Sequence, residues 1–144
     1  MTGFYQYKKI IYKIVGAAME VHNTLRWGLL EAIYNEALHK ELLHQGIDNV
    51  QEQLLACYYK GERLEKFYKM DIVVGDIIIE LKSVKELNHD HRAQLFNYLR
   101  LTQKPIGLLI NFGQPLMQGE RYGYIEENNE CVLLDKDMNM MRIG

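Results

Sequence analysis

The chain has few of the features that mark several large protein classes. Its two cysteines, Cys57 and Cys131, are far apart and outside any CxxC pair. A disulfide framework or a thiolate zinc site is therefore not expected, and two buried or half-buried thiols are. Its only prolines are Pro105 and Pro115, and it has no repeat and no long linker. We therefore expect a single domain over residues 1–144.

Long apolar runs are also missing. No run approaches the roughly 20 residues that a membrane-spanning helix requires, so no membrane partner is predicted. The first residues, MTGFYQYKKIIYK, lack an apolar stretch followed by a small-residue cleavage site. A secretory signal is therefore not predicted, and a cytoplasmic location is the expectation.

A net positive charge is missing too, since the formal net charge is −2. This balance is not typical of a nucleic-acid-binding protein. The positive charges are nevertheless clustered, at Lys60, Arg63, Lys66 and Lys69 and then at Lys82, Lys85, Arg92 and Arg100. A local basic surface of this kind would bind phosphates even on an acidic protein. The alternative is that each of these side chains is an ordinary solvated charge.

The spacing of apolar residues predicts two helices, at 5–25 and 29–44, with Gly46 ending the second. Strands are predicted at 53–59, 67–74, 77–84, 106–112, 121–125 and 131–134, with a helix at 89–101. The strands around this last helix are almost entirely apolar, which is typical of strands buried on both faces. A helix between two such strands implies a right-handed crossover and parallel pairing. The predicted fold class is α/β, with a mixed β-sheet flanked by helices.

Two carboxylates interrupt these apolar strands. Asp71 lies in KMDIVV and Glu80 in IIIELKSV, and a buried carboxylate is costly unless it is paired or binds a metal. Gly75-Asp76 predicts a turn, with Asp71 four residues before it and Glu80 four residues after it. The two side chains are therefore expected to lie close together across a hairpin.

Lys82 is expected to share a strand face with Glu80, because side chains two residues apart point the same way. Two carboxylates suit Mg²⁺, which would activate a water molecule for attack on a phosphate. Lys82 would then position that water or stabilise the developing negative charge. The alternative is a structural ion pair between Lys82 and Asp71 or Glu80.

The pattern D-(x)8-E-x-K at Asp71, Glu80 and Lys82 resembles that of the PD-(D/E)xK nuclease superfamily. The segment 28–34 matches GxxExxY, the motif of the GxxExxY protein family within that superfamily. The resemblance covers residues 10–125, including ALHKEL, YYKG, AQLFNYL and GLLINFG. It implies a restriction-endonuclease-like core, a Mg²⁺ or Mn²⁺ cofactor and a nucleic-acid substrate, with DNA favoured.

The resemblance adds further candidate site residues. Glu31, the fixed glutamate of the motif, would complete the metal shell, or else lie at a helix start where the macrodipole favours it. Gln94 and Tyr98 match QxxxY, a motif of RecB-type nucleases, and their spacing places both on one helix face. Gln94 would hold Lys82 or a phosphate oxygen, and Tyr98 would add a hydroxyl group.

Three polar residues near the third helix are candidates for nucleic-acid binding, namely Tyr98, Arg92 and His91. The alternative for His91 and for the nearby His89 is a solvated residue at a helix entry. His22, which precedes the motif, is expected to be a hydrogen-bonded structural histidine.

The chain departs from the family pattern at two places. Met70 stands where the superfamily name has proline. Arg26 stands where the family usually has the first glycine of Gly-x-Gly, and this change is expected to stiffen the turn before Glu31. Three functions remain open: a Mg²⁺-dependent nuclease, a catalytically silent binding module, and a structural part of a larger complex. A homodimer is an expectation from the family.

Overall fold

The structure is a computed structural model, and it describes residues 3–141. A short 3-10 helix, Phe4–Tyr7, leads into the regular elements. The helices are α1 (Lys8–Leu25), α2 (Glu31–His44) and α3 (His89–Thr102). The strands are β1 (Val50–Tyr59), β2 (Glu62–Val74), β3 (Ile77–Lys82), β4 (Ile106–Asn111), β5 (Gln118–Ile125) and β6 (Glu130–Leu134).

The strands form one sheet in the order β1-β2-β3-β4-β5-β6. All neighbouring pairs are antiparallel except β3 and β4, which are parallel and joined through α3. The predicted parallel pair and mixed sheet are therefore confirmed. Gly75 has a φ of +55°, so it supplies the left-handed conformation that the turn between β2 and β3 needs.

The two faces of the sheet are covered by different helices. On one face, α1 and α2 pack over alternate residues of the central strands, such as Ile79, Leu81 and Leu108. On the other face, α3 packs over the residues in between, such as Ile78 and Leu109. Because both faces are covered, β3 and β4 are apolar along almost their whole length.

Two strands are longer than their sequences predict. β1 begins at Val50 and β2 at Glu62, whereas the apolar patterns predict starts at residues 53 and 67. Only residues 72–74 of β2 pair with β3, so the preceding part of β2 pairs with β1 alone. Residues 54–69 therefore form a two-stranded ribbon that extends beyond the sheet, which we call the arm. Its charged side chains face solvent, which is why the apolar pattern does not reveal it.

The structure also describes the two cysteines and the helices that bear on a membrane span. Cys57 and Cys131 are both free and half-buried, as predicted. Within residues 3–141, no helix has the length and apolar character needed to cross a membrane.

Candidate active site

The candidate site lies where β2 and β3 separate. Their backbone pairing ends at Ile72 and Ile79, so Asp71 and Glu80 are the next residues along. Beyond this point the two carboxylates accept hydrogen bonds from backbone amides in place of strand pairing. Asp71 N donates to Glu80 Oε1 at 3.1 Å, and Leu81 N donates to Asp71 Oδ2 at 2.8 Å. Each carboxylate therefore reaches across to the other strand, and the structure brings the two together as the turn position predicts.

This pair is electrostatically unfavourable without a cation. Glu80 is only 3% exposed, and burial is the main reason that the pKa of its carboxyl is raised. The negative charge of Asp71 raises the pKa of Glu80 further. Burial also raises the pKa of Asp71. Burial of the pair therefore favours protonation of one of the two carboxyls when no metal is bound.

Lys82 lies at the end of β3 and is half-buried. Ile78, Glu80 and Lys82 share a strand face by alternation, and Ile78 packs beneath α3. The positive charge of Lys82 lowers the pKa of both carboxyls but does not cancel the effect of burial. In the part of the chain that the structure describes, no salt bridge joins Lys82 to Asp71 or Glu80, so the ion-pair alternative is not realised.

Glu31 begins α2 and is exposed. Asn35, one helical turn later on the same face, is buried and donates through Nδ2 to the carbonyl of Asp71 at 3.4 Å. Gln51 Nε2 holds the Asn35 side chain by donating to its Oδ1 at 2.7 Å. The charge of Glu31 contributes to the raised pKa of both site carboxyls. Across residues 3–141, however, no three His, Cys, Asp or Glu side chains are close enough to hold a metal together.

The turn before Glu31 is fixed by Tyr34, the last residue of GxxExxY. Its hydroxyl donates to Arg26 O at 2.6 Å and accepts from Leu29 N at 3.0 Å, while its ring stacks on Phe112 with centroids 4.5 Å apart. Gly28 has a φ of +88°, which favours glycine. The glycine and tyrosine of the motif therefore shape the turn that precedes Glu31.

Arg26 bears out the expectation of a constrained turn. Its φ of +67° and ψ of −166° lie in a region that is open to glycine and strained for any residue with a Cβ. The backbone at Arg26 therefore has a conformation that glycine would adopt freely.

Comparison with known families identifies the scaffold. The sequence model of the PD-(D/E)XK nuclease superfamily matches residues 8–122, which is most of the chain. The chain belongs to the PD-(D/E)XK nuclease superfamily. The matched range includes both site carboxylates, Lys82 and the GxxExxY segment.

A comparison with solved structures bears on the fold. It is similar to the crystal structure of a protein called SSO0001, with a TM-score of 0.52 and 19% sequence identity. The match covers 86% of this chain and 64% of that protein, so the chain corresponds to somewhat under two thirds of its length. A search of curated proteins found no match. The restriction-endonuclease-like fold predicted for this PD-(D/E)XK protein is therefore confirmed.

Gln94 and Tyr98 contact each other on α3, as their spacing predicts. The Gln94 amide donates to the Tyr98 hydroxyl, which in turn donates to the carbonyl of Lys69 at 3.5 Å. Lys69 precedes Asp71 by two residues, so Tyr98 borders the site. The pKa of Tyr98 is raised to about 12, mainly by burial and also by the charges of Glu80 and Asp71. Gln94 bonds to Tyr98 here and not to Lys82.

Arg92 is engaged elsewhere. Its guanidinium donates to both carboxylate oxygens of Glu120 at 2.8 Å, and Tyr122 donates to the same carboxylate at 2.5 Å. Such a bidentate pair fixes the planar group. Arg92 therefore ties α3 to β5, and its contact with nucleic acid stays a prediction.

His91 caps a helix. Asn88 N donates to His91 Nδ1, and His91 N donates to Asn88 Oδ1, both at 3.1 Å. This reciprocal arrangement is a capping box at the start of α3, and the contact of His91 with nucleic acid stays a prediction. His89 is exposed at the same helix start. His22 is buried and its Nε2 bonds to the carbonyl of Gln114 at 2.8 Å, the structural role expected for it.

Two further residues shape the site and are absent from the sequence-based candidates. Glu52 lies on β1 next to Asp71, has a φ of +56° and raises the pKa of Asp71. Asn111 is fully buried and binds Val84 N, Val84 O and Gly113 N at 2.9–3.0 Å. It therefore fixes the loop that follows Lys82. The only signal for Asn111 is one amide within an otherwise apolar strand.

Proposed function

We propose that the protein is a metal-dependent nuclease of the GxxExxY group that hydrolyses phosphodiester bonds in DNA. The observation that carries this proposal is the pairing of the buried Glu80 carboxylate with Asp71 at the fork between β2 and β3. Such a pair is costly to bury. A bound cation would offset the negative charge of the pair and so explain why two carboxylates lie among apolar strand residues.

The donor set suits Mg²⁺ or Mn²⁺. Mg²⁺ prefers oxygen ligands and is commonly held by one or two carboxylates, with waters and substrate phosphates completing its shell. Asp71 and Glu80 would supply the carboxylates, and Glu31 would approach from the start of α2. When bound, the cation supplies Lewis-acid activation of water and charge neutralisation at the phosphate.

The protein side chains would divide the remaining work. Lys82, which is free of both site carboxylates, would donate hydrogen bonds to the attacking water or to the phosphate oxygens as their negative charge develops. Tyr98 would offer its hydroxyl at the margin of the site, where its raised pKa keeps it protonated. Gln94 would orient that hydroxyl or accept a substrate contact after rotating.

A second candidate is a nuclease fold without turnover that binds nucleic acid or a protein. Two observations favour it: the net charge of −2, and the separation of Glu31 from the two paired carboxylates. The two functions differ in whether substrate is consumed when metal is present.

Cleavage assays separate these two functions. Labelled single-stranded, duplex and branched DNA would be incubated with the protein in Mg²⁺, in Mn²⁺ and in EDTA. The proposal predicts metal-dependent cutting that is abolished by Asp71→Ala and by Lys82→Ala. Asp48→Asn, at an exposed position, is the matched control and should cut normally. Metal binding without cutting of any substrate would favour the binding module, and cutting that survives both substitutions would indicate a contaminant.

A further inference from the structure

The arm exposes large apolar side chains that no other part of the described chain covers. Tyr58 is 63% exposed and Phe67 is 50% exposed. Tyr59, Leu54 and Leu64 are exposed on the same ribbon. Several large apolar side chains exposed on one projecting ribbon favour an interaction surface.

The arm also carries a local excess of positive charge. Four cations lie on it against two carboxylates, although the whole chain is acidic. The cations are Lys60, Arg63, Lys66 and Lys69, and the carboxylates are Glu62 and Glu65. This local excess of positive charge is complementary to a phosphate backbone.

Strand register interleaves the two kinds of side chain. The pairs Ala56–Phe67 and Leu54–Lys69 lie on one face of the ribbon, because directly paired residues project to the same side and the two pairs are two residues apart. Tyr58 pairs with Arg63 further out, beyond an irregularity in the register. A ring therefore lies beside a cation at two places on the arm, Phe67 near Lys69 and Tyr58 opposite Arg63. This combination is typical of surfaces that hold single strands, with rings stacking on bases and cations binding phosphates.

The arm leads directly into the candidate site. Lys69 is two residues before Asp71, and the far end of β2 is about 30 Å away at roughly 3.3 Å per residue. The base of the arm is anchored by Tyr68, whose ring packs edge-on against Tyr98 at 5.3 Å. A strand lying along the arm would therefore run toward the two carboxylates.

From this juxtaposition we propose that the arm is the substrate-binding surface, and that it holds nucleic acid with unpaired bases. The exposed rings favour unpaired bases because the bases of a duplex already stack on one another. A second copy of this chain is a poorer occupant, since two like arms would bring their cations together. The inference deepens the proposed nuclease function and rests on it.

Nucleic-acid binding is measured under conditions that prevent cleavage, so that a loss of binding can be told apart from a loss of catalysis. Fluorescence anisotropy in EDTA would follow a labelled 20-nucleotide oligo(dT) and a 20-base-pair duplex. We expect the single strand to bind more tightly than the duplex. The double variant Tyr58→Ala, Phe67→Ala should weaken single-strand binding about tenfold or more, since each stacked base is worth a roughly 5- to 150-fold change.

The charge variant is independent of the aromatic one and alters only exposed side chains. Replacing Lys60, Arg63, Lys66 and Lys69 by glutamine should lower the slope of log affinity against log salt by about 2 to 3. Matched controls on α1 are Tyr12→Ala for an exposed ring and Lys9→Gln, Lys13→Gln for exposed charge, and these should bind normally. Thermal melts would establish that each variant folds.

Three results would overturn the inference. The first is unchanged single-strand affinity in both folded arm variants. The second is an equal loss for single strand and duplex when only the aromatic rings are removed. The third is a dimer that dissociates in the aromatic variant while nucleic-acid binding persists, which would assign the arm to a second copy. Loss of binding in arm variants of a protein that cuts nothing would still support the arm and refute only the nuclease.

Discussion

Arg26→Gly is expected to stabilise the protein, because the backbone at this position already has a conformation suited to glycine. The φ of +67° and ψ of −166° cost a residue with a Cβ about 1–3 kcal/mol. Glycine removes that strain but adds about 0.5–1 kcal/mol of conformational entropy to the unfolded chain. The side chain of Arg26 is exposed, and among residues 3–141 it forms no salt bridge. Little is therefore lost with it.

The net gain expected from Arg26→Gly is about 0.5–2 kcal/mol in the free energy of unfolding. At roughly 3 °C per kcal/mol, this corresponds to a rise in Tm of about 2–6 °C. Urea denaturation and thermal melts in EDTA would measure it. Arg26→Ala is the matched control, because alanine removes the side chain and keeps the Cβ. Equal stability of the glycine and alanine variants, or a less stable glycine variant, would refute the strain that the turn is inferred to hold.

Three further perturbations test other parts of the structure. Glu80→Gln should stabilise the metal-free protein by about 1–2 kcal/mol at alkaline pH. The pKa of Glu80 is raised in the folded state, so the wild type loses stability as the pH rises above the ordinary carboxyl range. Thermal melts in EDTA would measure this, and an equal change in Tm between pH 5 and pH 9 for both proteins would contradict it. Gly113→Ala should destabilise by about 1–3 kcal/mol, because a Cβ there would overlap the backbone of Val84; an unchanged urea midpoint would show that this loop yields. Arg92 lowers the pKa of Glu120, so the pair contributes stability that is lost as pH falls through that lowered value. Arg92→Gln should remove about 1 kcal/mol of the free energy of unfolding at neutral pH and weaken its dependence on pH in the acid range. Identical curves of unfolding free energy against acid pH for the two proteins would contradict this.

The fold follows from local patterns wherever burial is regular. The apolar runs around Ile78 and Leu109 predict two strands buried on both faces, and the helix between them predicts their parallel pairing. The first half of β2 is not predictable in this way, because residues 62–69 are all exposed and impose no alternation of buried and exposed positions. Its strand structure comes from pairing with β1, which is a contact distant in sequence.

The site is predictable to the extent that it depends on counting along one hairpin. The distance of Asp71 and Glu80 from the Gly75 turn predicts their proximity. The partner of Arg92 could not be predicted, since Glu120 lies 28 residues away on another element. The role of His91 could have been recognised, because an asparagine three residues earlier is a common helix cap.

Metal occupancy at the fork between β2 and β3 tests the central claim most directly. Crystals grown with Mn²⁺ would be measured at a wavelength where manganese scatters anomalously. We predict a peak between the carboxylates of Asp71 and Glu80, within coordination distance of an oxygen of each, and its loss in crystals of Asp71→Asn. An empty fork at millimolar Mn²⁺, with both carboxylates still bonded to the backbone, would contradict the account.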